Sequence, residues 1–126
     1  MTTETMQLKS ESAVSVPASG LTTIATIQNN SKKLLCFHFD VATQALDNFD
    51  VLARAHNGAQ LQDLTPALWT SLPSGGRFLY ASGDLAAVAA AGNGYFEMDI
   101  AGLSEIVVKA SGAADSASIT PRWSLQ

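Results

Sequence analysis

The stretch Lys33-Leu34-Leu35-Cys36-Phe37-His38-Phe39-Asp40-Val41 sets the fold class. Leu35, Phe37, Phe39 and Val41 alternate with Leu34, Cys36, His38 and Asp40, and a period of two places each set on its own side of a β-strand. The same cadence returns along the chain. In Phe49–His56, Phe49, Val51, Ala53 and Ala55 share one face and Asp50, Arg54 and His56 the other. In Tyr95–Ile100, Phe96, Met98 and Ile100 point inward while Tyr95, Glu97 and Asp99 point outward. Glu105–Ala110 and Ala117–Leu125 read as closing strands, with Ile119, Trp123 and Leu125 on one face. Pro121 cannot donate to a ladder and marks an edge strand or a bulge. In Leu21–Gln28, Ile24 and Ile27 differ in parity, which predicts a bulge or a two-sided strand.

Turn clusters separate these strands: Asn29-Asn30-Ser31, Asn57-Gly58, Pro73-Ser74-Gly75-Gly76, Gly92-Asn93-Gly94 and Gly112-Ala113-Ala114-Asp115. Short strands, frequent turns and one apolar face per strand predict an all-β chain, a single antiparallel β-sandwich of jelly-roll or immunoglobulin-like type. Its core is predicted to hold Phe37, Phe39, Val51, Phe96, Met98, Ile106, Val108 and Ile119. Two stretches fit less well. Leu61, Leu64 and Leu68 have near-helical spacing broken by Pro66, and Asp84–Ala91 reads as one or two helical turns capped by Asp84 and stopped by Gly92.

At 126 residues the chain is one domain. Residues 1–20 are polar and rich in Ser and Thr, with Met6, Leu8, Val14 and Val16 as apolar anchors. They read as an extended N-terminal arm with a short strand near Ala13–Val16, ahead of a sandwich domain at 21–126. Hydrophobic residues make up 47% of the chain and mean hydropathy is slightly positive, which excludes wholesale disorder. Charged residues are only 14%, so small polar residues must supply the surface or another chain must cover part of it. A net charge of −4 argues against a nucleic-acid partner. Neither a secretory signal nor an apolar run long enough for a membrane span is legible, so the chain is expected to be made in a cytoplasm, not secreted, with no membrane partner. Cys36 stands alone within an apolar run and reads as a packed thiol.

Catalytic chemistry is not legible. No nucleophile elbow or phosphate loop occurs, and no cofactor is expected. The candidate metal ligands are His38, Asp40, Asp47, Asp50 and His56. If Lys33–Val41 and Phe49–His56 form a hairpin pairing Phe39 with Val51, Asp40 faces Asp50. The two histidines then stand roughly 13 Å apart, too far to share an ion. That leaves a weak cation between Asp40 and Asp50 against the plainer reading of a solvated face. Trp69 and Trp123 are candidate contacts for a sugar or a protein partner, or else plugs of a core or interface.

The cassette Ile106-Val-Val-Lys-Ala-Ser-Gly-Ala-Ala-Asp-Ser-Ala-Ser-Ile-Thr-Pro-Arg-Trp-Ser-Leu125 resembles the closing hairpin of small structural proteins of tailed bacteriophages. Val41–His56 and Tyr95–Gly102 are similar to these proteins in cadence and turn composition. The resemblance implies a non-enzymatic virion component, foremost a capsid decoration protein bound to the capsid exterior as a homo-oligomer. A tail or head-to-tail connector subunit is the neighbouring reading, and a sandwich module binding carbohydrate or a cell-surface partner is the alternative. The implied partners are copies of the chain itself and a major capsid or other virion protein, met through Met6, Leu8, Val14, Val16, Trp69 and Trp123.

Overall fold

Each alternating segment forms a strand. A computed structural model describes residues 9–10 and 12–126, and its strands are β1 (Lys9–Ser10), β2 (Val14–Val16), β3 (Thr22–Gln28), β4 (Leu34–Ala42), β5 (Leu46–Arg54), β6 (Gln62–Asp63), β7 (Phe78–Ala81), β8 (Asn93–Asp99), β9 (Glu105–Gly112) and β10 (Ala117–Leu125). They make two antiparallel sheets. One has the order β1-β10-β4-β8-β7, with β2 also pairing β10; the other has the order β3-β9-β5-β6. Setting aside the short edge strands β1 and β7, the remaining eight strands fall into the sheets as first-eighth-third-sixth and second-seventh-fourth-fifth. That is jelly-roll order, so the chain is a single β-sandwich of the jelly-roll rather than the immunoglobulin type.

This connectivity overturns the expected pairing of Lys33–Val41 with Phe49–His56. β4 pairs β10 and β8, whereas β5 lies in the opposite sheet between β9 and β6. The connection from β4 to β5 is therefore an arch between sheets, turned at Thr43 (φ 71°). The Thr43 Oγ1 lies 2.6 Å from the Ala42 carbonyl and 3.1 Å from that of Ser116, which ties this arch to the next one. Similarly, the segment read as a closing hairpin is an arch, because β9 and β10 sit in different sheets. Gly112 makes that arch: a Cβ there would stand 2.2 Å from the Asp115 carbonyl oxygen.

All eight predicted core residues are fully buried between the sheets. Trp123, Phe37 and Phe96 lie in register on neighbouring strands, with ring centroids 6.0 and 5.3 Å apart. From the opposite sheet Phe49 stacks on Phe39 at 4.6 Å and meets Phe96 edge-on at 6.1 Å. Burying each ring contributes roughly 2–3 kcal/mol, and favourable ring pairs add about 0.5–1.5 kcal/mol.

The parity break in β3 is a bulge. Register shifts between Thr23 and Ala25, so Ile24, Ala25 and Ile27 are all buried. Pro121 lies inside the six-stranded sheet, but opposite an irregularity. From Val14 back to Ser10 the chain moves four residues, while β10 moves three, from Ile119 to Arg122. A residue without an N–H sits where regular pairing on that side lapses. Asp84–Ala91 holds one 3₁₀ turn at Leu85–Ala87, with the Asp84 carboxylate accepting from the Ala86 N–H at 3.2 Å. Leu61–Leu68 is not helical; Gln62–Asp63 pairs with β5 instead. Gly94, read as a turn residue, belongs to β8 and lies in register with Phe39.

Candidate functional site

The segment read as an arm enters the sandwich before residue 20. Val14–Val16 pairs with Ile119–Ala117, and Val16 is fully buried among core residues. Val14 is half-buried and packs against the same core. Val16 is therefore a core residue and not a free anchor for a partner. Met6 and Leu8 lie outside the described residues.

Both tryptophans are likewise internal, at 4% exposure each. Trp69 sits in the loop before β7, where its Nε1–H donates to the Phe49 carbonyl at 3.2 Å and its ring meets Phe78 edge-on at 5.0 Å. Trp123 stacks on Phe37 with only 9° between planes. Neither presents a face to a sugar or a protein.

The proposed metal ligands divide between the sheets. His38 and Asp40 lie on β4, Asp47 and Asp50 on β5, and His56 just beyond it. Among the described residues no group of three or more His, Cys, Asp or Glu side chains could hold a metal ion. Asp40 instead forms an ion pair with Arg122, two strand positions away on the outer face of the six-stranded sheet. His38 lies between Arg122 and Tyr95 in register, and its pKa is lowered by burial first and by the Arg122 charge second. Burial pushes the Tyr95 phenol far above its ordinary value, with Cys36 and Glu97 reinforcing the shift. Gln126 Nε2 stands 3.7 Å from the Cys36 sulfur. On the second sheet, burial and the nearby Asp63 raise the Asp50 carboxyl, partly offset by Lys109. Arg54 and Glu105 pair at 3.1 Å. These are cross-strand contacts that neutralise charges on solvated sheet faces.

Exposed large apolar side chains fall mostly on β7 and the loop before it. Of the four large hydrophobic residues exposed among the described residues, Leu68 (63%), Leu79 (61%) and Tyr80 (49%) belong to β7 or the loop before it, and Leu21 lies elsewhere. The cause is a bulge in β7: Phe78 pairs with Met98 but Tyr80 with Glu97, leaving Leu79 as the extra residue. Phe78 points into the core, and both following side chains point out. The Tyr80 ring leans on Tyr95 at 5.9 Å. Arg77, just before the strand, donates from one guanidinium nitrogen to the carbonyls of Asp99 and Ala101, each at 3.1 Å. This edge is the strongest candidate for a functional surface. It could be suspected from sequence only as a charge-poor loop region, because Phe78–Ala81 has no alternation once the bulge removes it.

No protein-family model matches the chain, and no characterised sequence matches it. Among solved structures its fold is similar to that of the SPBc2 prophage-derived protein YomS, with a TM-score of 0.51 over 99% of this chain and 100% of that one. Sequence identity is 9%, so the likeness concerns the fold.

Proposed function

We propose that this chain is a non-enzymatic structural component of a bacteriophage particle, foremost a decoration subunit bound to the capsid exterior as an oligomer. The observation that carries the reading is the end-to-end likeness of its fold to that of a prophage-derived protein, with neither chain leaving a domain unmatched. The solid aromatic interior and the charge-poor exterior are in keeping with it: a subunit that packs into a shell needs a rigid body and surfaces that are cheap to desolvate. Burial of Trp69 and Trp123 removes the side chains on which a sugar-binding reading rested.

One fold hosts many functions, so the test belongs at the level of the particle. Purified virions from a lysate expressing this chain should contain it at a fixed stoichiometry to the major capsid protein by quantitative mass spectrometry. Heads and tails separated on a gradient should place it with the heads. Recovery with tails would replace decoration by a tail or connector role. Failure to recover it from any particle fraction would overturn the reading.

A further inference from the structure

We propose that copies of this chain stack head to tail along the strand axis, the acidic end of one sandwich docking on the basic end of the next. The proposal deepens the reading above, and rests on it for the expectation that copies self-assemble.

Strand register defines the two ends. At one, Gln28, Glu105 and Arg54 lie side by side in one sheet, and Leu34 lies beside Asp99 in the other. At the opposite end Leu46 lies beside Gly112, and Ala42 beside Ser118. The loops of this second end are 17–21, 43–45, 82–92 and 113–116, and their only charged residues are Asp84 and Asp115. Asp47 adds a third carboxylate at the start of β5. All three are exposed, and none forms an ion pair among the described residues. Main-chain bonds tie these segments together: the Ala113 N–H donates to the Ala45 carbonyl and the Leu46 N–H to that of Val88, both at 2.9 Å.

The first end carries the opposite sign. Its loops 29–33, 55–61 and 100–104 contain no acid. Lys32 and Lys33 are exposed there, again without an ion-pair partner among the described residues. The acids at the neighbouring strand ends have cations of their own. Glu105 pairs with Arg54 at 3.1 Å, and Arg77 is held at the Asp99 and Ala101 carbonyls, which sets a positive charge against Asp99. Within the body Asp40 pairs with Arg122, and Asp50 lies in register with Lys109. The remaining described acids of the sandwich, Asp63 and Glu97, stand on strands and not in end loops.

This separation of charge decides the occupant. A nine-residue strand such as β4 spans roughly 26 Å, whereas the Debye length is about 8 Å at physiological salt. Each end therefore presents its own sign to an approaching body. Two like ends repel, which excludes a two-fold contact through either of them. Unlike ends attract, and a second copy supplies the surface that each end requires. Such a contact is heterologous, so every added copy leaves one end open and assembly continues past the dimer.

The basic end is also preformed. The Asn29 amide donates to the carbonyls of Lys32, Ile100 and Leu103 at 3.0, 3.2 and 2.8 Å and accepts the Lys32 N–H at 2.9 Å, so both lysines ride on a fixed turn. Between that turn and Ala101–Ser104 lies an open recess of about 440 Å³. The acidic loops are rich in alanine, Ala89-Ala90-Ala91 among them, which lets their backbone approach closely. A contact between pre-ordered surfaces gives up little conformational freedom.

Sedimentation velocity of the full chain tests the proposal. In about 50 mM salt the weight-average mass should rise with concentration past that of a dimer. In about 0.5 M salt the Debye length falls to roughly 4 Å, and association should weaken at least ~10-fold. Charge reversal tests the geometry. Lys32→Glu with Lys33→Glu leaves a chain acidic at both ends. Asp47→Lys and Asp115→Lys with Asp84→Asn, which keeps an acceptor for the Ala86 N–H, leave one basic at both. Neither variant should self-associate, while a 1:1 mixture should assemble, because only unlike chains then attract. Thr26→Lys, on the exposed face of a sheet, should leave association unchanged. Should the second variant fail to fold by circular dichroism, the lysine variant, the salt dependence and Thr26→Lys decide. A chain that stays monomeric to about 1 mM in low salt overturns the proposal. So does assembly that stops at a dimer, association insensitive to salt, folded variants that do not assemble when mixed, or an equal effect of Thr26→Lys. Any of these leaves the virion reading to the particle analysis. Conversely, salt-sensitive stacking in a chain missing from particles would overturn that reading and not this one.

Discussion

Replacing Gly94 by alanine probes a close approach of backbone to side chain in the core. Gly94 lies on β8 directly opposite Phe39, and a Cβ built on it would stand 2.3 Å from Phe39 Cζ and 2.6 Å from Cε1. Carbon atoms in contact need about 3.5–4.0 Å, so the ring would have to move by more than about 1 Å. It has nowhere to go: Phe49 stacks on its other side at 4.6 Å, and Phe37 stands at 6.2 Å. Overpacking a close-packed core costs roughly 1–3 kcal/mol. Replacing glycine where the backbone is compatible returns about 0.4–1 kcal/mol through the unfolded chain. The expected net loss is about 1–2 kcal/mol, a fall in Tm of several degrees for a domain of this size. Urea unfolding followed by tryptophan fluorescence reads it directly, because both indoles are buried. The double variant Gly94→Ala with Phe39→Leu should lose less than the sum of the two single changes, since a smaller side chain leaves room for the methyl group. A neutral or stabilising Gly94→Ala, or strict additivity in the double variant, would refute the close approach.

Two further outcomes are expected. Val16→Ala should cost roughly 2 kcal/mol in thermal unfolding, because that side chain is fully buried in the core; a variant that melts like the unaltered chain would return Val16 to a dispensable arm. The pKa of His38 is depressed on folding, so the unfolded chain binds the proton more readily and stability should fall as pH drops through the ordinary histidine value of 6.5. The dependence of melting temperature on pH between about 7.5 and 5 should flatten in His38→Gln, and an unchanged slope would mean that neither burial nor the Arg122 charge depresses the His38 imidazole.

Local period and parity are properties of the chain alone, and they were enough to determine which side of each alternating strand faces inward. Alternation over Leu34–Val41 and Tyr95–Ile100 assigns the inner faces whatever the neighbouring strand is, because successive side chains in any strand point to opposite sides. The parity break between Ile24 and Ile27 locates a bulge for the same reason. Partner choice is different. Phe39 has the same inward direction whether its chain neighbour pairs beside it in a hairpin or arches over to stack on it, and only the closure of both sheets around one core puts β5 in the opposite layer. That closure also decided the tryptophans. An indole in a loop and another near the end of the chain look equally suited to a core or a surface, until the space between Phe49 and Phe78, and that beside Phe37, has to be filled. The β7 edge depended on tertiary structure most of all. Its bulge erases the alternation that would announce a strand and turns both Leu79 and Tyr80 to solvent, while Phe78 meets Trp69 in the core behind them.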